Sequence, residues 1–442
     1  MKAKVLLLFI SFACASAAYS FGQIDCATSK KLVCEFPVSA TTLAANTIGN
    51  ASGSFGTVFG LAETATRPFD ASIATQLTQL PIPSATIGVV SLRNKGSDVP
   101  VPFDNLGPIL TDRPDTVGKQ HLFLGFSYQH FNFNSLDGQH LGSLPAGFTF
   151  SQISPSNSND TQTFYGAESN NVSFKLDQYV WVLTYGITKT TDLSVVVPIN
   201  SVNLGVISSN FQAAVFDSAA KQYTNLSPAA TTQVVASGSA SGAGDVTVNF
   251  KRLLVGADGG RPAIAIGATL RFPTGDALNY LGSGALGGSA YGLFESRRPL
   301  APHLKVSYQW NSNSQVLDLQ QPKYLRLPGG LQYAAGFDYK LIRQVTVAAD
   351  FLGSQFINTP SFALSTAPLN PAPTGSNGGN GINQNFTTVT GLNNTYTTAN
   401  FSAGLKWAPI RHVLVYGNML KQLNNVGLRS NIVPLVGIAF KR

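Results

Sequence analysis

Regular alternation of apolar and polar side chains is the feature that most constrains this chain. In HLFLGFSYQHFNF, the side chains of Leu122, Leu124, Phe126 and Tyr128 share one side, and a period of two over that length predicts a β-strand. The same pattern predicts twelve strands, at about 120–133, 171–186, 192–206, 244–255, 262–273, 289–298, 303–312, 329–341, 345–357, 396–407, 412–424 and 432–441.

The connections between these segments alternate in length. Long polar loops at 134–170 and 207–243 are followed by tight turns at 187–192 and 256–261, and a further Asn- and Gly-rich loop is predicted at 358–395. Such sorting is typical of an outer-membrane barrel, whereas both ends of a soluble sandwich face the same water. The sequence therefore predicts an all-β fold: a transmembrane antiparallel β-barrel of about 12 strands, preceded by an N-terminal non-barrel segment.

Composition agrees with this fold class and argues against others. Charged residues are 11% of the chain, with 42 Gly, 28 Phe and 14 Tyr, a mixture that favours strands and turns. The net charge is +8, but the basic residues are scattered, which argues against a nucleic-acid partner. Beyond the N-terminus no apolar run is long enough for a spanning helix, so a membrane location requires a closed barrel.

The N-terminus has the features of an export signal. Residues 1–4 are basic, 5–13 are apolar, and Ala15-Ser16-Ala17 fits a cleavage site. We predict a signal peptide at 1–17 and a location in the bacterial outer membrane. A membrane anchor is the alternative, but the apolar run is shorter than the ~20 residues it needs; a lipoprotein at Cys14 is another.

The remaining chain divides by composition. Residues 18–105 are rich in Ala, Thr and Pro, with a possible helix in FDASIATQLTQL, and we predict a periplasmic or plug segment there. The barrel is expected over 106–442. Because an even-stranded barrel that starts on the periplasmic side leaves this segment at its open end, we expect the segment to lie within or beneath the barrel. A flexible periplasmic tail is the alternative.

Charge within the predicted strands falls on the row opposite the apolar one. Val248 and Phe250, for example, alternate with Thr247 and Lys251. In a transmembrane barrel the apolar row faces lipid and the polar row faces the lumen. We therefore predict lumen-lining positions at Lys175, Asp177, Lys251, Arg271, Lys305, Asp338, Lys340, Asp350 and Lys406.

Aromatic residues add support for a bilayer interface. Rings lie on apolar rows near strand ends, as interfacial girdles require, at Tyr308, Trp310, Tyr339 and Trp407. The row of Lys175 and Asp177 also carries rings, at Tyr179, Trp181 and Tyr185. Either a bulge intervenes on this strand or these rings face the lumen.

Few residues point to catalysis or to a metal. Cys26 and Cys34 lie close together and predict a local disulfide in an oxidising compartment. The five histidines have no ligand spacing, so no metal or other cofactor is predicted. His121 and His130 lack an identifiable nucleophile, and we predict that the protein is not an enzyme. The GSGALG stretch opens no helix and is interpreted as a loop.

Three short motifs occur in a recognisable order: YGITKTTDLSVVVPI, then GAGDVTVNFKRLL at 242–254, then LRFPTGD at 270–276. They resemble the outer-membrane β-barrel transporter family associated with the meta-pathway of phenol degradation. The resemblance covers roughly 106–442 and rests on Gly242, Gly244 and Asp245 and on Pro273, Thr274, Gly275 and Asp276. It implies a β-barrel with a transport role and no catalytic residues.

These observations predict an outer-membrane barrel that passes small solutes, with aromatic or hydrophobic compounds implied by the resemblance. About twelve strands leave a lumen wider than that of an eight-stranded barrel filled by side chains. The alternative is a structural or adhesin-like barrel whose long loops are the functional surface. The expected partners are outer-membrane lipid and a small solute, and the oligomeric state is left open.

Overall fold

The computed structural model describes residues 26, 28–52, 69–81, 83–84, 106–154, 157–219, 222–226, 233–256, 262–296, 300–317, 325–342, 344–368, 385–410 and 412–441. The predicted signal peptide lies outside them. Helix α1 spans Glu35–Ser52 and helix α2 spans 69–77, within the stretch where a helix was predicted. Single 3₁₀ turns occur at Leu32–Cys34, Leu141–Ser143, Ala277–Asn279 and Gln315–Leu317.

The strands are β1 (Leu122–Leu136), β2 (Gln139–His140), β3 (Leu144–Ser154), β4 (Asn157–Gly186), β5 (Thr191–Asp217), β6 (Gln222–Leu226), β7 (Gln233–Ala243), β8 (Thr247–Val255), β9 (Ala263–Arg271), β10 (Gly287–Glu295), β11 (Leu300–Asn311), β12 (Asn313–Ser314), β13 (Leu325–Arg326), β14 (Gly329–Ile342), β15 (Val345–Pro368), β16 (Asn385–Ile410), β17 (Val413–Gln422), β18 (Leu428–Ser430) and β19 (Ile432–Lys441).

In the part of the chain that the structure describes, twelve wall strands close into an antiparallel barrel. This confirms the predicted fold. Strands β7 and β8 form one interrupted wall strand, because both pair with β5. The first and last strands close the circle through pairs from Phe123↔Lys441 to Gln129↔Leu435. Every predicted strand segment falls on a wall strand.

Connections are sorted between the two ends of the barrel. At the end where β1 begins and β19 finishes, residues 187–190 join β4 to β5 by a tight turn, and only two residues separate β14 from β15 and β16 from β17. At the other end β4 and β5 run for 30 and 27 residues, whereas about 9–11 residues span a bilayer. These strands therefore project well past the membrane.

The outer face of the wall carries a continuous apolar row on successive strands. On β11, Leu304, Val306, Tyr308 and Trp310 are exposed, and across the next strands their outward neighbours include Leu331, Phe337, Tyr339, Phe351, Phe401 and Trp407. Exposed large apolar side chains on one contiguous band indicate contact with lipid. In the described part of the chain, no helix is long and apolar enough to cross a bilayer.

Three described stretches, 26–52, 69–84 and 106–117, lie against the inner face of the wall and are called the inner segment below. Ser39 Oγ lies 2.9 Å from Ser208 Oγ on β5, and the Gln129 side chain of β1 donates to the Pro81 carbonyl at 2.9 Å. The Leu106 amide donates to Thr346 Oγ1 on β15 at 2.9 Å. Contacts with opposite walls place this segment inside the barrel.

The two cysteines lie at the start of the inner segment. Their Cα atoms are 5.1 Å apart and the sulfurs are placed as a disulfide. Both cysteines are buried among apolar residues. The disulfide of the exported protein stays a prediction: thiol labelling of unreduced protein should find both sulfurs blocked, and reactive thiols would contradict it.

Candidate functional site: the barrel lumen

One side of the lumen is apolar. Inner-row residues of β1 and β4 pack on rings of the inner segment and of the 272–286 loop, because alternate residues of each strand point inward. The Phe174 ring lies 5.2 Å from that of Phe133, 6.2 Å from that of Phe69 and 5.7 Å from that of Tyr280. The Tyr280 hydroxyl donates to Asp70 Oδ1 at 2.5 Å. Helix α2 is thus held against this wall by rings and one buried hydrogen bond.

Two of the predicted lumen positions lie on the other face of this wall. Lys175 is exposed, and Asp177 accepts a 2.7 Å hydrogen bond from the outward Tyr128 hydroxyl and pairs with His130 Nδ1 at 2.7 Å. The expectation that these charges line the lumen is corrected. Beside these two positions the inner row of β4 is apolar, at Phe174 and Leu176, because it packs against the inner segment. The charged row is therefore left outside, toward the long-loop end.

The position of the nearby rings follows from the same pairing. The register from Leu122↔Tyr185 to Phe133↔Phe174 is continuous, so no bulge interrupts β4 between residues 174 and 185. Tyr179 and Trp181 face outward, with 39% and 43% of their surfaces exposed. The rings and the charges share the outer row, with the charges farther from the tight-turn end.

The opposite side of the lumen is charged, and Arg113 of the inner segment is its centre. Its guanidinium donates to both carboxylate oxygens of Glu295 on β10, at 2.5 Å and 3.1 Å, and lies 3.5 Å from Asp115. Burial lowers the pKa of Arg113, but the surrounding carboxylates outweigh burial and the net pKa is raised. The guanidinium is therefore charged, and its two parallel hydrogen bonds fix its geometry.

Further charged side chains of the wall hold the extended part of the inner segment. Lys251 Nζ donates to the Arg113 carbonyl at 2.8 Å, and Lys406 Nζ donates to the Leu106 and Pro108 carbonyls. On the wall itself, His303 lies between Asp338 and Asp350, at 3.0 Å and 2.5 Å. Asp350 also accepts from Thr111 Oγ1 at 3.1 Å.

The remaining predicted positions, Arg271, Lys305 and Lys340, also lie on inner rows. On these strands and on those of Lys251, Asp338, Asp350 and Lys406, unlike on β4, these charged residues lie on the row that faces the lumen. What the sequence missed is that most of these groups bind the protein's own chain. Whether any of them contacts a solute stays a prediction.

The second and third sequence motifs meet at the interruption between β7 and β8. The Asp245 carboxylate accepts hydrogen bonds from the Gly275 amide at 3.2 Å and from the Ser283 amide and hydroxyl at 2.8 Å and 2.5 Å. Thr274 Oγ1 donates to the Gly244 carbonyl at 2.6 Å. A Cβ atom on Gly275 would lie 2.7 Å from the backbone of the loop, which explains glycine there.

This junction also reaches the inner segment. Asp276, the last residue of the third motif, pairs with Lys31 at 2.7 Å, and the Asn279 side chain accepts from the Leu32 amide at 3.1 Å. Both contacts lie next to Cys34. The motifs therefore form a structural connection between the wall, the 272–286 loop and the start of the inner segment.

A cavity of ≈ 280 Å³ lies between the two sides of the lumen. Its apolar lining includes Leu110, Phe131, Phe133, Leu420 and Val433, and its polar lining includes Gln178, Asn200, Asp245, Arg271, Lys305, Gln309, Gln332 and Arg429. The amides and Arg429 were not predicted. Amide side chains carry no charge, and Arg429 lies in short strand β18, outside the predicted segments.

No family model and no curated protein matches this chain. Among solved structures, an outer membrane channel from Pseudomonas putida F1 is 14% identical with a TM-score of 0.41, and the match covers 74% of this chain and 98% of that one. A FadL homologue from Pseudomonas aeruginosa is 11% identical with a TM-score of 0.27, covering 74% and 91%.

The translocator domain of the autotransporter NalP from Neisseria meningitidis is also similar, with 10% identity, a TM-score of 0.25 and coverage of 74% and 90%. At these scores the similarities carry no functional argument. Membership of the phenol meta-pathway family stays a prediction from the motifs.

Proposed function

We propose that this protein is an outer-membrane barrel that passes small solutes, and that its inner segment restricts the passage. The observation that carries the proposal is the cavity inside a closed wall, bordered by Thr78, Gln79 and Leu110 of the inner segment. A barrel built only as a scaffold needs no space between its wall and its filling. The apolar outer band and the predicted export signal support the outer membrane as its location.

The proposed restriction rests on how the inner segment is held. Buried ion pairs and carbonyl contacts fix residues 106–115 to β8, β10 and β16, while α2 packs on β4 through Phe69. Breaking a buried ion pair costs about 3–5 kcal/mol, so this arrangement does not open by thermal fluctuation of single contacts. Flux through the intact protein should accordingly be low.

Aromatic or hydrophobic solutes are the proposed cargo class. Phe131 and Phe133 lie side by side on the cavity wall, with ring centroids 5.8 Å apart and planes 9° apart. Flat apolar faces of this kind pack against aromatic rings. The sequence resemblance points to the same class of compound.

Conductance in planar bilayers tests the proposal. Full-length protein should give small or infrequent channels, and a variant lacking residues 24–100 behind the intact signal should give a clear increase. The heat-modifiable gel band of both proteins must first show that the barrel is closed. Equal conductance would overturn the proposed restriction, and no conductance or solute uptake from either protein would overturn the passage function.

A surface-interaction function is the second candidate, and the length of four strands favours it. Besides β4 and β5, strands β15 and β16 have 24 and 26 residues, far more than the bilayer requires. Trimming the projecting hairpin of β15 and β16 should leave solute flux unchanged if the protein is a channel. Loss of cell-surface adhesion with no change in flux would favour the second candidate.

A further inference from the structure

The ionisable residues that line the cavity are mostly cationic. Arg271, Lys305 and Arg429 border it together with one carboxylate, Asp245. That carboxylate already accepts three hydrogen bonds from the 272–286 loop, and it lies 3.6 Å from the Arg271 guanidinium. Its charge is already paired with that of Arg271, so it does not neutralise Lys305 or Arg429.

Arg429 is satisfied by neutral acceptors. Its guanidinium donates to the Asn424 and Ala399 carbonyls at 3.2 Å and 2.9 Å and to the Asn400 side chain at 2.5 Å. These contacts fix its position and leave its charge uncompensated. Because the groups that orient this buried cation are neutral, its charge keeps the electrostatic potential of the cavity positive.

Lys305 is the cation with the fewest contacts. It is half-buried on the inner row of β11, and its Nζ lies 5.0 Å from the centre of the Tyr291 ring. In the part of the chain that the structure describes, no carboxylate lies within ion-pair distance of Lys305. Asp112 acts on it electrostatically from farther away, and this carboxylate lies 3.6 Å from Lys251 and is shared with it. A partly desolvated ammonium group gains strongly from an anion that reaches it.

The cavity is amphipathic as well as positive. Phe131 and Phe133 stand on one wall with Leu420 and Val433, while Lys305 shares the opposite wall with Gln309 and Gln332. An occupant of ≈ 280 Å³ or less that satisfies both walls must carry a flat apolar part and an anionic end. Amides beside the cation supply additional donors for oxygen atoms.

We infer that this cavity binds small aromatic carboxylates, with the carboxylate toward Lys305 and the ring toward Phe131 and Phe133. The inference rests on the proposed passage function and names the substrate class of that lumen. Because Lys305 has no carboxylate within ion-pair distance among the described residues, the site should distinguish carboxylates from neutral or cationic molecules with the same ring.

Equilibrium binding to the full-length protein in detergent tests this directly, with benzoate, benzyl alcohol and benzylamine as probes. Benzoate should bind at least about tenfold more tightly than benzyl alcohol, which corresponds to a modest gain for one charge-assisted contact, and benzylamine should bind weakest. Raising the salt concentration should weaken benzoate binding and leave benzyl alcohol binding unchanged.

Variants then assign the preference to one side chain. Lys305→Gln should reduce benzoate affinity about tenfold and leave benzyl alcohol affinity unchanged. Lys340→Gln is the matched control, because Lys340 lies on an inner row but not on the cavity wall, and it should behave as wild type. If Lys305→Gln loses its heat-modifiable band, the salt dependence of the wild-type protein still decides the question.

Equal affinity for the three probes, or a carboxylate preference that survives Lys305→Gln in folded protein, would overturn the inference. The passage function is judged separately by flux. Benzoate binding without conductance or uptake would defeat the passage function and leave the binding site standing. Flux of aromatic solutes without a carboxylate preference would overturn the binding site and leave the passage function standing.

Discussion

Strands β4 and β15 belong to one barrel, yet they place their charges on opposite faces. On β4 the charged residues Lys175 and Asp177 face outward and Phe174 and Leu176 face inward. On β15 the charged Asp350 is buried on the inner row, while Phe351 faces outward and is 39% exposed. The difference teaches that the content of the lumen, and not the alternation itself, decides which row is polar.

Two parts of the inner segment, helix α2 and the stretch 106–115, differ in how their backbone N–H and C=O groups find hydrogen-bond partners. Helix α2 next to β4 forms its hydrogen bonds internally and can present rings such as Phe69 to the wall. The stretch 106–115 next to β8, β15 and β16 is extended, so its buried carbonyls and amides need partners from the wall. Lys251, Lys406 and Thr346 supply these partners.

The strongest test of the charged side is Arg113→Gln. Removing the guanidinium leaves Glu295 buried without its partner, which should lower the stability of the folded protein by about 3–5 kcal/mol. Urea titration in detergent, followed by the heat-modifiable band, measures the change. Arg113→Lys keeps the charge but loses the paired hydrogen bonds, so its stability should lie between those of wild type and Arg113→Gln. If Arg113→Gln is as stable as wild type, the charged side of the lumen is not what holds the inner segment.

The matching test of the apolar side is Phe174→Ala. This ring is fully buried among Phe69, Phe133 and Tyr280, and its loss should cost about 3–5 kcal/mol, at the lower end if helix α2 can shift into the space. Phe351→Ala, on the lipid face of β15, is the control and should cost less in the same titration. Equal costs would mean that α2 does not pack on β4 as described.

The assignment of inward and outward side-chain rows is tested on β8, where a smaller effect is expected. Val248 belongs to the outer row and Thr247 borders the cavity. Val248→Arg should destabilise the barrel by about 2–4 kcal/mol, and Thr247→Arg should be tolerated in the lumen. The yield of folded protein in isolated outer membranes reports the difference, and identical behaviour would contradict the assignment of the two faces.

The smallest effect is expected for the outward charge of β4. Lys175→Gln should change stability by less than about 0.5 kcal/mol, because the side chain is exposed. Lys251→Gln, on the inner row, should cost about 1–3 kcal/mol through the unsatisfied Arg113 carbonyl. A large loss for Lys175→Gln in the urea titration would place that residue back in the lumen.

Local pattern determined much of this molecule from the sequence alone. Alternation located the wall strands, since side-chain direction in a strand has a fixed period of two, and loop length predicted which end of the barrel carries the long connections. For the same reason, Lys251, Asp350 and Lys406 could be placed on one face of their strands. The proximity of Cys26 and Cys34 in the chain also predicts the disulfide between them.

Only the tertiary structure decided which face was the inner one at β4, because that depends on residues far away in sequence that fill the lumen. The same holds for Arg113 and Glu295, which are separated by 182 positions, and for the cavity, whose lining comes from strands all around the barrel. Periodicity carries information about neighbours along a strand. It carries none about which segment of the chain occupies the space that the strands enclose.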